Sequence, residues 1–147
     1  MNPLDSTRLQ EWALGMAQQV SSLSKDPSTQ VGAVILDDKR RIVSAGYNGF
    51  ARGVEDAPDR LADRDTKYRL TIHAETNAIM FAVAPLEGCT MVCTHPCCSR
   101  CSALLIQAGI KHVIWPKPDA TFVERWSQDL ELSRAQLQEA GVEVMEV

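Results

Sequence analysis

Apolar residues recur at helical spacing through Leu4–Leu23, where Leu9, Trp12, Ala13, Met16 and Val20 mark one face. Asp5 or Ser6 stands where an N-cap belongs. Asp26-Pro27 closes the stretch, because proline disfavours a helical residue before itself. The period then changes. Val31–Leu36 and Arg41–Tyr47 read as two strands joined by the turn Asp37-Asp38-Lys39. Asn48-Gly49 and Arg52-Gly53 punctuate a long loop, and from near His73 to Ala84 the spacing predicts a helix with Ala, Met, Ile and Phe on its buried side. Cys89–Cys93 reads as a short strand and Ser99–Ala108 as a helix closed by Gly109. Lys111–Trp115 is a strand, Val123–Ala140 an amphipathic helix ended by Gly141, and Val142–Val147 the last strand. Strand-helix-strand order in this second half implies parallel neighbours with right-handed crossovers. The expectation is an α/β fold: a three-layer α/β/α sandwich around a five-stranded mixed sheet.

Composition narrows the class. A chain of 147 residues is expected to form one domain, 1–147, with an ordinary core. Its 45% hydrophobic and 23% charged residues are those of a soluble globular protein. The stretch MNPLDSTRLQEW lacks the apolar centre of a signal peptide, and no apolar run has the length of a membrane span, so a cytoplasmic protein is the default expectation. A formal charge of −4 argues against a polynucleotide partner but not against one small anion held by a few local cations. Between Arg52 and Arg69 the charges are dense yet balanced, which reads either as a solvated loop or as a loop covering a substrate.

The five cysteines, Cys89, Cys93, Cys97, Cys98 and Cys101, change the picture. An odd number crowded into one short stretch argues against a disulfide framework and for metal or thiol chemistry. Two pieces stand out, His73-Ala74-Glu75 and Cys98-Ser99-Arg100-Cys101, each opening a predicted helix. Two thiolates and one imidazole suit Zn²⁺, and three protein ligands leave the open fourth position of a catalytic site. A helix start favours thiolate over thiol at Cys98 and Cys101. Glu75 is too close to His73 to serve comfortably as another ligand, but it is placed to take a proton from an attacking water and return it to a leaving amine. That combination is the chemistry of hydrolytic deamination.

Cys98 is preferred to Cys97 as the first ligand because it alone keeps the two-residue gap to Cys101. Cys97 reads as a small buried residue or as an accessory ligand. Cys89 and Cys93 share a strand face and read as core. His112 has no assigned chemistry, and His95 is either equally bland or near enough to line the pocket.

His-x-Glu followed by Pro-Cys-x-x-Cys is the pattern of zinc nucleobase deaminases, here with the proline displaced to Pro96 and Cys97 in its place. Beyond this motif the chain resembles the deoxycytidylate (dCMP) deaminase family, in its bacterial and phage branch. The matching pieces are Ser24-Lys25-Asp26-Pro27, Gln30–Ile35, Gly46-Tyr47-Asn48-Gly49, Thr66-Lys67-Tyr68, His73–Ile79, Ile106–Ile110, Glu124-Arg125-Trp126 and Ala140–Val144. The resemblance implies a cytidine deaminase-like fold and conversion of dCMP to dUMP with release of ammonia, supplying dUMP for thymidylate synthesis. It implies one Zn²⁺ per chain on His73, Cys98 and Cys101, with Glu75 as proton shuttle. It further implies Asn48 on the deoxyribose and the Ala74 backbone on the pyrimidine, with Lys25, Arg52 and Lys67 as candidate cations for the 5′-phosphate. A homo-oligomer, hexamer or dimer, and dCTP or dTTP as effectors also follow from the resemblance. The competing expectations are a deaminase of a 5-substituted dCMP or another cytosine nucleoside or base and, in a different class, a structural-zinc module without catalysis.

Overall fold

The computed structural model describes residues 2–147. Its elements run in the order α1 (Thr7–Ser21), β1 (Gly32–Leu36), β2 (Ile42–Tyr47), β3 (Gly49–Phe50), α2 (Pro58–Ala62), α3 (Arg64–Leu70), β4 (Thr71–Ile72), α4 (Ala74–Met80), β5 (Thr90–Cys93), α5 (Ser99–Gln107), β6 (His112–Trp115), α6 (Ala120–Glu139) and β7 (Glu143–Glu146). Five strands form a mixed sheet in the order β2-β1-β5-β6-β7. β1 pairs antiparallel with β2 and β5, whereas β5, β6 and β7 are parallel, as the strand-helix-strand order requires.

Alternation along the central strands divides the core in two. Ala33 and Ile35 of β1, Met91 and Cys93 of β5, and Val113 and Trp115 of β6 face α4, α5 and α6. Val34 and Leu36, Val92 and Ile114 point the other way, against Ala13 and Ala17 of α1 and the buried Leu4. Both faces of the middle of the sheet are covered, so these strands are buried along their whole length and are mostly apolar, with Thr90 and His112 the polar exceptions. This is the expected three-layer α/β/α sandwich.

The differences from expectation have local causes. α1 starts at Thr7 because Ser6 caps it, its hydroxyl accepting from the Leu9 N–H. It stops at Ser21, before Asp26-Pro27, where the hydroxyls of Ser21 and Ser22 donate to the carbonyls of Gln18 and Gln19 and offer the backbone an alternative to the helix. α4 ends at Met80 rather than Ala84, and Pro85 disfavours helical Ala84 in any case. Asp119 caps α6 three residues earlier than the periodicity implies. The charge-rich segment is not wholly loop: Pro58 opens α2, and Asp63 caps α3 by accepting from Thr66. A two-residue ladder, Gly49 opposite Ile72 and Phe50 opposite Thr71, ties the segment after β2 to the residue pair just before His73.

Candidate active site

Two helix starts converge beyond the end of β5. His73 is the N-cap residue of α4, and Cys98 is the N-cap residue of α5, its sulfur 3.4 Å from the Cys101 amide. The His73 Nδ1 lies 3.4 Å from each of the Cys98 and Cys101 sulfurs. One donor atom from each of these three residues lies within 4.8 Å of the others. An imidazole and two sulfurs at that spacing fit the Zn²⁺ donor set, and three of them leave a position open. The two sulfurs hold a proton unevenly. Cys98 is pulled down to about 4 by the Cys101 thiol hydrogen-bonded to it and by His73, against the opposing effect of burial. The same hydrogen bond and burial push Cys101 up, and the bond to Cys98 lifts His73.

Glu75 sits on the first turn of α4 with only 4% of its surface exposed. Burial raises its pKa, and the neighbouring His73 charge works against that rise. A carboxylate whose proton affinity is raised in this way is suited to take a proton and give it back. Ala74 is fully buried at the first position of α4, where a backbone N–H has no acceptor within the helix.

A surrounding layer holds the cysteine loop. Asp129 of α6 accepts from both the N–H and the hydroxyl of Ser99, at 3.0 and 2.6 Å. Ser133, one turn further on, donates to the Cys97 carbonyl at 2.7 Å. Thr76 places its hydroxyl 3.5 Å from the Cys101 sulfur. Sequence reasoning passed over Asp129, Ser133 and Thr76. The four-residue step from Asp129 to Ser133 marks one helix face, but only the packing of α6 on α5 shows what that face meets.

Cys97 turns away from the converging donors. It is buried, 3.4 Å from the Cys93 sulfur, and both thiols are pushed up: Cys97 by its contact with Cys93 and by burial, Cys93 by burial foremost. Cys89 is buried in the same core. His95 is half-buried with its Nδ1 2.8 Å from the Thr94 hydroxyl, and burial lowers its pKa.

The remaining sequence candidates are held by partners. Asn48 is buried, its amide oxygen accepting from Val31 N–H and its Nδ2 donating to the Thr29 carbonyl, each at 2.9 Å. Its side chain clamps the 29–31 segment, with one Nδ2–H left over from these two bonds. Lys25 is exposed and pairs with Asp56 at 3.1 Å. Arg52 stacks on Phe81. Lys67 is buried in an ion pair with Asp26 at 3.1 Å.

Residues 7–117 match the model of the cytidine and deoxycytidylate deaminase zinc-binding region. The chain is 47% identical over 139 residues to an uncharacterized deaminase from the luxG 3′ region of Aliivibrio fischeri, covering 92% of this chain and 93% of that one. It is 42% identical over 114 residues to the deoxycytidylate deaminase of Mus musculus, covering 71% of this chain and 62% of that protein, so it spans less than two thirds of the mammalian relative. Among solved structures it resembles dCMP deaminase of the cyanophage S-TIM5 in complex with dCMP and dUMP, with a TM-score of 0.75, 25% identity and coverage of 97% and 98% of the two chains.

Proposed function

The chain belongs to the cytidine and deoxycytidylate deaminase zinc-binding family, and from that premise we propose that it converts dCMP and water to dUMP and ammonia. The observation that carries the reading is the buried Glu75 beside a three-donor cluster of His73, Cys98 and Cys101. Similarity to the mouse deoxycytidylate deaminase and to the phage enzyme in complex with dCMP and dUMP supports the choice of base and nucleotide.

His73, Cys98 and Cys101 would hold the Zn²⁺, which when bound supplies Lewis acidity and lowers the pKa of water. Glu75 takes a proton from the attacking water and delivers it to the pyrimidine N3 as C4 becomes tetrahedral. It then moves a second proton to the departing amine, so that the C4–N bond breaks and the C4 oxygen remains as a carbonyl. The first-turn N–H of Ala74 is available to the pyrimidine, and the spare Nδ2–H of Asn48 to the deoxyribose. A structural-zinc module would require a fourth protein donor and would leave a buried carboxylate without a role.

Exposed Ile42, Tyr47, Met80, Phe81 and Val83 on and around β2 and α4 support self-association, as a dimer or hexamer. Five free cysteines fit a reducing, cytoplasmic compartment.

Glu75→Gln tests the assignment. The variant should retain Zn²⁺ while ammonia release from dCMP falls by about 10²- to 10⁴-fold. Undiminished turnover would sink the mechanism. Turnover of dCMP, CMP, deoxycytidine and 5-methyl-dCMP, measured side by side, tests the substrate, and a preference for deoxycytidine would overturn the nucleotide assignment.

A further inference from the structure

The backbone on both sides of Cys98 is held by side chains of one element, α6. Asp129 accepts from the Ser99 N–H at 3.0 Å and from the Ser99 hydroxyl at 2.6 Å. Ser133 donates to the Cys97 carbonyl at 2.7 Å, and Gln136 donates through Nε2 to the Ser99 carbonyl at 2.9 Å. Residues 129, 133 and 136 recur at helical spacing, so one stripe of α6 carries all three. Ser133 commits its single hydroxyl hydrogen to Cys97, so Ser102, 2.5 Å away, is the donor between the two serines. Both hydroxyls lie in fully buried residues, and the relay ties the residue after Cys101 to the residue before Cys98.

Helix docking alone does not call for these groups. Leu130 and Leu137 of α6 are buried in the core that also contains Cys97 and Cys101, and an alanine at 133 would seat the helix without desolvating a hydroxyl. What the polar side chains add is direction. The Cys97 carbonyl belongs to the peptide group before Cys98, and the Ser99 N–H to the peptide group after it. A residue has only two soft backbone dihedrals, so holding both flanking peptide planes fixes Cys98 at its φ of −69° and ψ of 166° and aims its Cα–Cβ bond. The sulfur is thereby kept 3.4 Å from the His73 Nδ1 and 3.4 Å from the Cys101 N–H. The helix that does this lies beyond residues 7–117, the part of the chain that matches the family's zinc-binding region. We infer that Asp129 and Ser133 are positioning residues of the metal site, an inference that rests on the zinc assignment within the deaminase reading above. By locking the peptide groups on either side of Cys98 they present its sulfur to Zn²⁺ already aimed, beside His73 and Cys101. Less ordering then remains to be done when the metal arrives, which raises its affinity.

The test uses the full chain and the variants Asp129→Ala, Asp129→Asn and Ser133→Ala, with thermal melts to verify that each is folded. Leu137→Val is the packing control, since it trims a fully buried side chain of α6 and removes none of these hydrogen bonds. Competition with a chromogenic chelator measures Zn²⁺ affinity, and the visible absorption of the Co²⁺-loaded protein reports tetrahedral thiolate coordination. Asp129→Ala should weaken Zn²⁺ binding by about 10- to 100-fold and alter the Co²⁺ spectrum. Ser133→Ala, which reaches the other flanking peptide, should weaken it by about 10-fold and alter the spectrum independently. Asp129→Asn keeps an acceptor for the Ser99 N–H and should recover most of the loss. Leu137→Val should lower the melting temperature with Zn²⁺ affinity and spectrum close to wild type. Unchanged affinity and spectrum in both Asp129→Ala and Ser133→Ala overturn the inference, even where the melting temperature falls. An equal loss in Leu137→Val overturns it by tracing the effect to helix packing, and an Asp129→Asn no better than Asp129→Ala overturns it by tracing the effect to charge. Wild-type protein without thiolate-bound Co²⁺ overturns the zinc site and the inference with it. Wild-type protein that binds Zn²⁺ yet releases no ammonia from dCMP overturns the dCMP reading alone, because the affinity comparison needs no substrate and still decides the role of α6.

Discussion

Lys67 and Asp26 illustrate how one contact reassigns a residue. The side chains are 7% and 11% exposed, so the pair sits where solvent screens it little. Burial alone would raise the Asp26 pKa, but the N–H groups of Thr29 and Ser28 and the Lys67 ammonium outweigh it and hold the carboxyl below its ordinary value. A cation committed in this way anchors α3 against the 26–29 turn and is a poor ligand for a passing phosphate. Lys67→Met should therefore destabilise the fold by ~1–3 kcal/mol, because the Asp26 carboxylate loses its ammonium partner and keeps only the Ser28 and Thr29 N–H groups. Adding Asp26→Asn should recover part of that loss, as urea unfolding would measure. Near-native stability of Lys67→Met would release the lysine and return it to the candidate phosphate contacts. His73, Glu75, Cys98 and Cys101 were legible from the chain because ligand type and short spacing are local properties. The engagement of Lys25, Arg52 and Lys67 was not, since each partner lies far away in sequence.

The placement of α4 depends on a glycine in the strand beneath it. A Cβ at Gly46 would stand 2.5 Å from both the Ala74 carbonyl oxygen and the Ala78 nitrogen, which are backbone atoms of α4 and cannot rotate aside. Gly46→Ala should push the helix off β2, costing ~1–3 kcal/mol and weakening Zn²⁺ affinity through the displaced His73. A melting temperature and zinc titration matching wild type would show that α4 is seated otherwise. Gly15 is the contrasting case. It lies on the exposed side of α1, and a methyl group there would have nothing within 4 Å, so Gly15→Ala should stabilise by ~0.5–1 kcal/mol through helix propensity alone. The long helices and the sheet strands were readable from periodicity. α2 and α3 span five and seven residues, too few for a period to emerge, and only Pro58 and Asp63 signal them.

At the scale of the molecule, the donor cluster sits at the edge of one of two apolar cores, with Cys101 buried in it and Cys98 packed against it, while the second core lies on the other face of the sheet. Chelation should lower the melting temperature while leaving far-ultraviolet circular dichroism close to that of the loaded protein, and loss of helical signal at 25 °C would show that metal binding drives folding. Acid should act through a different group. His112 is buried, its pKa lowered mainly by desolvation, and its Nδ1 has no hydrogen-bond partner. The unfolded chain therefore binds the proton more tightly, and stability falls as pH drops below the ordinary value of 6.5. His112→Phe should flatten the stability slope between pH 7 and 5 relative to wild type, and an unchanged slope would remove His112 as its source. The sequence by itself determined the α/β class and singled out the candidate zinc donors and Glu75 beside them, because periodicity and a one-turn spacing at a helix start operate over a few residues. Tertiary structure decided how the sequence-predicted cations are paired and what holds the cysteine loop. Those contacts join residues such as Ser99 and Asp129, 30 positions apart, which meet only after α5 and α6 are packed together.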